Sequence, residues 1–243
     1  GTVSTAFTRQ EPDACEICRL NAPAFRTTNR DALRLDWPRI PLPASAARLA
    51  ESAGLGRRVA ALLDPETPAE GVEIAPHPAV KRLGVVATVA GATPDLAVAA
   101  RWGYAGQNGV TMPGRGDARP RPWSEDERAA LAAGAAKLGL DAETALALLG
   151  DTVVDVHLNA TTYWGCVPER VWRFTIGGYQ VVKKWLSYRE RDLLGRALTP
   201  EEARYVGHVV RRLALLRLMA PALDANYRAV TADVWPWPGP DAP

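Results

Sequence analysis

The chain of 243 residues is 47% hydrophobic and 23% charged, with a formal net charge of +2. Its length allows one large domain or two small ones with a real core. No apolar run approaches the roughly 20 residues that a membrane-spanning helix needs, and three cysteines are too few for a disulfide scaffold. The first residues, GTVSTAFTRQ, lack the pattern of a signal peptide, so we expect a cytoplasmic protein with no membrane partner.

Charge is distributed unevenly along the chain. Residues 101–123 are net +3, residues 124–169 are net −6 and residues 170–217 are net +7. The basic side chains therefore fall into two blocks on either side of an acidic segment. This segregation suits a polyanion bound on one surface, although a set of solvated helix faces would give the same pattern.

Residues 1–20 are predicted to be irregular, and they contain a CxxC motif formed by Cys15 and Cys18. Such a motif can be half of a zinc site or a redox pair. No second CxxC and no HxxxH follows in the sequence. Two ordinary thiols are the favoured interpretation, and a small zinc-dependent or redox protein is the weakest hypothesis for the chain.

A helical framework is predicted on both sides of a more extended region. Residues 23–35 fit a helix that stops before the proline-rich segment 37–43. Ser45 fits the N-cap of a helix that continues to about residue 63. Ser124 begins a capping box, and Asp141 fits the N-cap of the next helix.

The region 70–123 is predicted to be a variable part made of short strands and loops. Asn108-Gly109 is a turn signal because both residues accept positive φ. The segment 110–123 places prolines and glycines around three arginines, which indicates a projecting recognition loop or else a long surface linker. The strand candidates are residues 72–75, 83–89 and 96–104.

The most distinctive segment, residues 163–190, combines three tryptophans with a Gly-Gly pair and a basic run. After a strand at 152–158, it fits a short helix at 168–174, a turn, and a second helix from about 179 to 194. A long helix with Thr199 as N-cap follows, and the proline-rich tail 231–243 is predicted to leave the domain. The predicted fold is therefore α+β: a helical scaffold with a small, mainly antiparallel sheet carrying loops, and a helical C-terminal part.

Motifs for catalysis are missing from the sequence. It has no GxGxxG after a strand, no GxxxxGK[ST], no HExxH and no GxSxG, and it lacks the Asp/Asn-Pro-Pro-aromatic motif that amino-methyltransferases use. We therefore expect no catalytic residue, no metal and no cofactor in this chain.

One long segment carries a family resemblance: LNATTYWGCVPERVWRFTIGGYQVVKKWLSYRERDLLGRALTPEEARYVGHVVRRLALLRLMAPALDANY. It resembles the C-terminal target-recognition domain of single-chain Type ISP restriction–modification enzymes, as do the earlier AFRTTNRDALRLDWPRIPLP and GVTMPGRG. The domain is placed at residues 21–230. The resemblance implies recognition of a duplex DNA sequence, with the nuclease, the ATPase and the adenine methyltransferase elsewhere in a longer polypeptide. S-adenosylmethionine and ATP with Mg²⁺ are then expected only in the parent enzyme.

Candidate DNA contacts follow from residue type and position, because amides and guanidiniums read base edges and basic side chains neutralise phosphates. The implied partners are double-stranded DNA and the methyltransferase domain of the same or a partner chain. The alternative is a protein–protein docking module that uses Trp- and Pro-rich edges without touching DNA. The base-reading candidates are Gln107, Asn108, Arg115, Arg119, Arg121, Asn159 and Tyr163. The phosphate candidates are Lys183, Lys184, Arg191, Arg204, Arg211 and Arg212.

Overall fold

The computed structural model describes residues 10–236. The described residues divide into two compact units, a helical unit of residues 10–67 with 219–236 and a sheet unit of residues 68–218. Within the described residues, no helix is both long and apolar enough to cross a membrane. The helices are α1 (Gln10–Leu20), α2 (Pro23–Thr28), α3 (Ala32–Leu35), α4 (Ala46–Leu63), α5 (Glu125–Ala136), α6 (Ala142–Leu149), α7 (Glu169–Trp172), α8 (Val181–Ser187), α9 (Arg191–Leu194), α10 (Pro200–Leu218) and α11 (Ala220–Ala232). The strands are β1 (Val85–Thr88), β2 (Gly103–Ala105), β3 (Thr111–Pro113), β4 (Ala118–Pro122), β5 (Thr152–His157), β6 (Thr162–Pro168), β7 (Thr175–Ile176) and β8 (Tyr179–Gln180).

The start of the helical unit corrects the prediction of an irregular segment at 1–20, because residues 10–20 form α1. The Cys15 thiol donates to the Leu49 carbonyl of α4 at 3.2 Å, and the Cys18 thiol donates to the Asn226 side-chain oxygen of α11 at 3.5 Å. Packing against these helices stabilises a short helix that the local sequence does not indicate. Residues 1–9 lie outside the described part of the chain.

The predicted tail at 231–243 remains attached to the helical unit over its described residues. α11 continues to Ala232, Val234 forms a bridge with Pro43, and the Trp235 N–H donates to the Leu42 carbonyl at 2.8 Å. The extended path of the proline-rich segment 37–43 therefore serves as the pairing partner of the chain after α11. The prediction for residues 237–243 falls outside the described residues.

Gly56 marks a close approach of α1 and α4. A methyl group added at Gly56 would overlap the backbone carbonyl of Ala14, whereas a methyl added at Gly54 would meet no atom within 4 Å. We expect Gly56→Ala to lower the free energy of unfolding by about 2 kcal/mol because the helices must separate. Gly54→Ala should raise it by up to about 1 kcal/mol through helix propensity. Chemical denaturation of both variants checks this, and equal effects would contradict the close approach.

The sheet unit is built around a four-stranded antiparallel sheet with the strand order β1-β6-β5-β4. Trp164 on β6 lies between Val86 of β1 and Val156 of β5 in the register. Its side chain is fully buried, and its indole N–H donates to the Ala203 carbonyl of α10 at 3.0 Å. α10 therefore packs on this sheet, and the predicted α+β class with a small antiparallel sheet and a helical C-terminal part is confirmed.

Capping signals placed the helices of this unit correctly. Ser124 and Glu127 form the predicted capping box of α5, and Asp141 caps α6 through the Thr144 N–H. Thr199 caps α10 by accepting the Glu202 N–H at 3.2 Å. These interactions are local in sequence, which is why the sequence pattern identifies them.

The central helix predicted from about 179 to 194 is instead two helices, α8 and α9. Between them, Glu190 turns inward and its carboxylate accepts the backbone N–H groups of Arg101 and Trp102 at 3.1 and 2.7 Å. The Arg191 N–H donates to the Val98 carbonyl at 2.6 Å. These tertiary hydrogen bonds replace helical ones, so helical periodicity gave no sign of the break.

The strand predictions also need corrections. Residues 72–75 form turns with a single bridge between Glu70 and Ile74, and residues 96–104 are extended strand only from Gly103. β6 was not predicted because its sequence, TYWGCVP, does not alternate apolar with polar residues, although buried and half-buried positions alternate over its first five residues. β4 lies in the segment predicted as a loop, and its prolines are tolerated because β4 is an edge strand.

Candidate nucleic-acid interface

A two-stranded hairpin of β2 and β3 carries the first of the predicted base-reading residues. Gln107 and Asn108 are exposed in the turn between the strands, where Asn108 and Gly109 have φ of +59° and +75°. The turn is closed by the Gly106 N–H, which donates to the Val110 carbonyl at 2.8 Å. The predicted Asn-Gly turn is confirmed, and it holds two amide side chains at the tip of the hairpin.

The hairpin exposes several large apolar side chains. Tyr104 is 54% exposed, Val110 59% and Met112 41%. Exposed apolar groups beside polar ones are typical of a binding surface. These three residues are absent from the predicted base-reading set, although the alternation of Tyr104 with small residues in β2 could have indicated the first of them.

Glu190 fixes the base of the hairpin. It is 7% exposed, and its carboxylate binds the backbone N–H groups of Arg101 and Trp102. Arg101 has a φ of +63°, a conformation that costs a non-glycine residue roughly 1–2 kcal/mol. The Arg101 carbonyl also accepts the Gly116 N–H at 3.0 Å. Hydrogen bonds on both sides therefore hold Arg101 in an unfavourable backbone conformation.

Arg101 and Arg115 line one open cavity of about 520 Å³ beside the hairpin, together with Tyr104, Glu190 and Asp192. Both arginines are exposed. Arg115 was predicted as a base-reading residue, whereas Arg101 was missed. Its position in the basic block 101–123 was the available signal, but its conformation and its neighbours come only from the fold.

Helices α8 and α9 pack against the β2–β3 hairpin and bring basic groups next to it. Lys184 lies over the rings of Tyr179 and Tyr188, with its ammonium nitrogen 4.8 and 4.7 Å from the ring centroids. A hydrogen bond with Tyr188 raises the pKa of Lys184. Lys183 is half-buried on α8, and Arg191 is exposed at the start of α9.

Arg121 belongs to the four-stranded sheet and not to a projecting loop. Its guanidinium forms ion pairs with Glu127 at 2.7 Å and with Asp155 at 2.8 Å. The neighbouring Arg119 is exposed on the same strand and pairs with Asp117 at 2.7 Å. The carboxylates around Arg121 neutralise its charge, so this residue is disfavoured as a DNA contact, and the prediction that residues 118–122 form a loop is wrong.

The ion pairs of Arg121 predict how stability depends on pH. The hydrogen bond from Arg121 lowers the pKa of Glu127 from 4.5 to about 2. A carboxyl group with a lowered pKa in the folded state stabilises the fold above its unfolded pKa, and this contribution is lost as the pH falls through the folded pKa. We therefore expect the free energy of unfolding to decrease between about pH 4.5 and 2.

Arg121→Gln should flatten this pH dependence. Part of the pH dependence should persist in the variant, because the pKa of Glu202 is also lowered to about 2, chiefly by a hydrogen bond from Arg196. Thermal unfolding at several pH values checks the expectation. Arg119→Gln, which removes a more exposed ion pair, is the control, and an unchanged profile in Arg121→Gln would contradict the assigned role.

The side-chain amide of Asn159 uses all of its hydrogen-bonding groups to stabilise a turn. Its amide nitrogen donates to the Asp95 and Ala97 carbonyls, each at 2.8 Å, and its amide oxygen accepts the N–H groups of Thr161 and Thr162, each at 3.0 Å. No group of this side chain is left to read a base, so the geometry disfavours the prediction for Asn159.

Tyr163, on the adjacent strand β6, is half-buried. It stacks on His157 with 4.9 Å between ring centroids. The stack commits one face of the Tyr163 ring to the fold, and the structure places this residue on the four-stranded sheet and not on the hairpin with Gln107 and Asn108.

Most of the phosphate candidates on α10 are buried or half-buried and form hydrogen bonds or ion pairs within the protein. Arg212 is 4% exposed, and its guanidinium binds Glu73 at 2.9 Å. The guanidinium of Arg211 donates to the Leu83 carbonyl at 3.1 Å, and burial lowers its pKa. Arg204 is exposed and pairs with Glu201 at 2.7 Å. The geometry therefore disfavours Arg211 and Arg212 as phosphate contacts.

The CxxC motif lies in the helical unit and forms no recognisable metal centre. Burial raises the pKa of the Cys18 thiol to about 11. Among the described residues, no group of three or more His, Cys, Asp and Glu side chains is arranged to hold a metal ion. Both thiols are buried, and each donates a hydrogen bond to another helix of this unit.

A family model described as the Type ISP C-terminal specificity domain matches residues 19–206. The matched region contains the β2–β3 hairpin, the four-stranded sheet and the helices α8 and α9. No curated protein and no solved structure matches the chain. The description of the family implies target recognition for restriction and modification. Because the match extends over more than half of its length, the chain belongs to the family of Type ISP C-terminal specificity domains.

Proposed function

We propose that this chain is the sequence-specific duplex DNA recognition domain of a restriction–modification enzyme, and that it is not catalytic by itself. The observation that carries the proposal is the exposed β2–β3 hairpin with two amides at its tip and basic residues on the helices packed against it. Adenine methylation and ATP-dependent cleavage belong to other parts of the parent enzyme. S-adenosylmethionine, ATP and Mg²⁺ bind in those parts.

Sequence reading is assigned to the hairpin. A two-stranded β-ribbon fits into the major groove of B-DNA, where Asn and Gln pair with adenine and Arg pairs with guanine. Gln107 and Asn108 occupy the exposed tip, and Arg101 and Arg115 line the cavity beside the strands. The exposed methyl and aromatic groups of the hairpin suit contact with the thymine methyl group and the sugars.

Phosphate contact is assigned to the helices next to the hairpin. Lys183, Lys184 and Arg191 supply three positive charges on α8 and α9. Such contacts position a protein on the duplex without specifying sequence. Three phosphate contacts correspond to a slope of about −2.7 for the logarithm of the binding constant against the logarithm of the salt concentration.

A selection from a random duplex library, followed by salt titration of the selected sequences, tests this function. An enriched motif together with a salt-dependent binding constant is the expected result. The full chain should be used, because both units are then present. If the selected sequences share no motif, the binding is non-specific and sequence recognition is refuted. The absence of binding at low salt would refute the whole proposal.

A docking role for the helical unit is the second candidate function. Leu35 and Trp37 are each 87% exposed, beside a cavity of about 250 Å³ that includes Phe25 and Arg39 in its lining. A methyltransferase domain of the same or a partner chain is the partner of this surface. Association with that domain, in a chain that shows no salt-dependent duplex binding, would favour docking over DNA recognition.

A further inference from the structure

A second arginine-lined cavity lies in the sheet unit. Its volume is about 520 Å³, and it is formed where α7 and β7 meet the end of α10. None of its arginines belongs to the candidate sets of the sequence analysis. The lining residues are Glu169, Arg170, Arg173, Phe174, Thr175 and Arg217.

The lining of this cavity carries an excess of positive charge. Three guanidiniums face one carboxylate, and that carboxylate is already engaged: Glu169 pairs with Arg173 at 2.8 Å and accepts the Thr152 hydroxyl at 2.9 Å. Arg170 is exposed. Arg217 is half-buried, with its guanidinium held by the Leu148 carbonyl at 2.6 Å. Glu169 therefore balances at most one of the three positive charges.

The charges in this cavity are close enough to affect one another. Burial, and then the charge of Arg170, lower the pKa of Arg217. Two guanidiniums that repel each other beside an open cavity are stabilised by an anion placed between them. A phosphate group is suitable because its oxygens accept two parallel N–H bonds from each guanidinium. The Thr175 hydroxyl in the same lining is a further donor.

We propose that the cavity of Arg170, Arg173 and Arg217 binds a phosphate group, and that in the working enzyme this phosphate belongs to the DNA backbone. The assignment to DNA rests on the proposed function, whereas the recognition of phosphate rests on the cavity alone. The site adds phosphate contacts outside α8 and α9. Its contribution to duplex binding is independent of base sequence.

Arg170→Gln is the most suitable test variant, because Arg170 is exposed and the substitution removes the charge while keeping a polar side chain. Arg128→Gln on α5 is the matched control, since Arg128 is exposed and lies outside the cavity lining. Arg217 is unsuitable because it also holds the Leu148 carbonyl. Each full-length variant is measured in two arms: salt-titrated binding to duplex DNA, and thermal unfolding with and without pyrophosphate.

The expected result is that Arg170→Gln reduces the salt slope of duplex binding by about 0.9 and weakens binding about tenfold, with less than about a twofold change for Arg128→Gln. Pyrophosphate should raise the melting temperature of the unmodified chain more than that of Arg170→Gln. If only the pyrophosphate effect is seen, the site takes free phosphate and its assignment to DNA is overturned. If neither arm distinguishes the variants, the phosphate site itself is overturned. A chain that does not bind duplex DNA at all would refute the proposed function. The measurement with pyrophosphate would still show whether the cavity binds a phosphate group.

Discussion

Glu190→Ala is expected to lower the free energy of unfolding by about 3 kcal/mol, because it leaves one buried and one partly buried backbone N–H group without an acceptor, each costing about 1–3 kcal/mol. The two groups are those of Arg101 and Trp102, at the base of the β2–β3 hairpin. Trp102 is fully buried, with its indole N–H donating to the His157 carbonyl at 2.8 Å. Glu190 therefore connects the hairpin to the core of the sheet unit.

Chemical denaturation measures the loss of stability, and hydrogen exchange of the Arg101 and Trp102 amides shows its location. Glu190→Gln keeps one acceptor oxygen, so about half of the loss is expected. Asp192→Asn is the control, because Asp192 is exposed and lies in the same cavity lining. Unchanged exchange at both amides in Glu190→Ala would show that the carboxylate does not hold the hairpin.

Loss of Glu190 should also affect recognition. The left-handed conformation of Arg101 is unfavourable by itself, and it is held by hydrogen bonds on both sides. Without the carboxylate, Arg101 and the following strand can relax to other conformations. Because a bidentate base contact depends on geometry, specific binding should decrease more than non-specific binding.

The helices and turns were predictable from the sequence where one short segment determines them. Ser45, Ser124, Asp141 and Thr199 cap helices through N–H groups three residues away. Asn108-Gly109 forms a turn because of its own φ preferences. In each case the side chain and its partner lie within a few residues of each other, so the pattern contains the whole interaction.

The remaining features depend on contacts between distant segments. The break between α8 and α9 exists because Glu190 and Arg191 bond to residues about 90 positions earlier. The helix-capping signals in the sequence do not indicate this break. β4 becomes a strand by pairing with β5, and α1 forms because two helices distant in sequence cover it. Sequence periodicity cannot detect such partners.

The candidate site residues show the same difference between information that is local in sequence and contacts made by the fold. Residue type identified Gln107, Asn108 and Arg115, which are exposed on or beside the hairpin. It also selected Asn159 and Arg212, whose polar groups are used inside the protein. Arg and Asn serve binding and structure equally well, and only the neighbouring carboxylates and carbonyls distinguish the two roles.

Removing the amides at the hairpin tip should abolish most of the discrimination between DNA sequences. The double variant Gln107→Ala, Asn108→Gly eliminates both side-chain amides. Glycine preserves the turn, because it accepts the positive φ that Asn108 has. With about 1–3 kcal/mol for each bidentate base contact, we expect a loss of about 3 kcal/mol on the selected sequence, or roughly 150-fold in affinity. Binding to random duplex DNA and the melting temperature should remain unchanged.

Lys183→Ala is the matched control for the tip variant, because the two changes should have opposite signatures. It removes a phosphate contact, so it should weaken binding to every duplex and reduce the salt slope by about 0.9. The tip variant should leave the salt slope intact, since no charge is removed. Parallel salt titrations on the selected and a scrambled duplex separate these cases. An equal loss on both duplexes for the tip variant would mean that the hairpin supports binding without reading sequence.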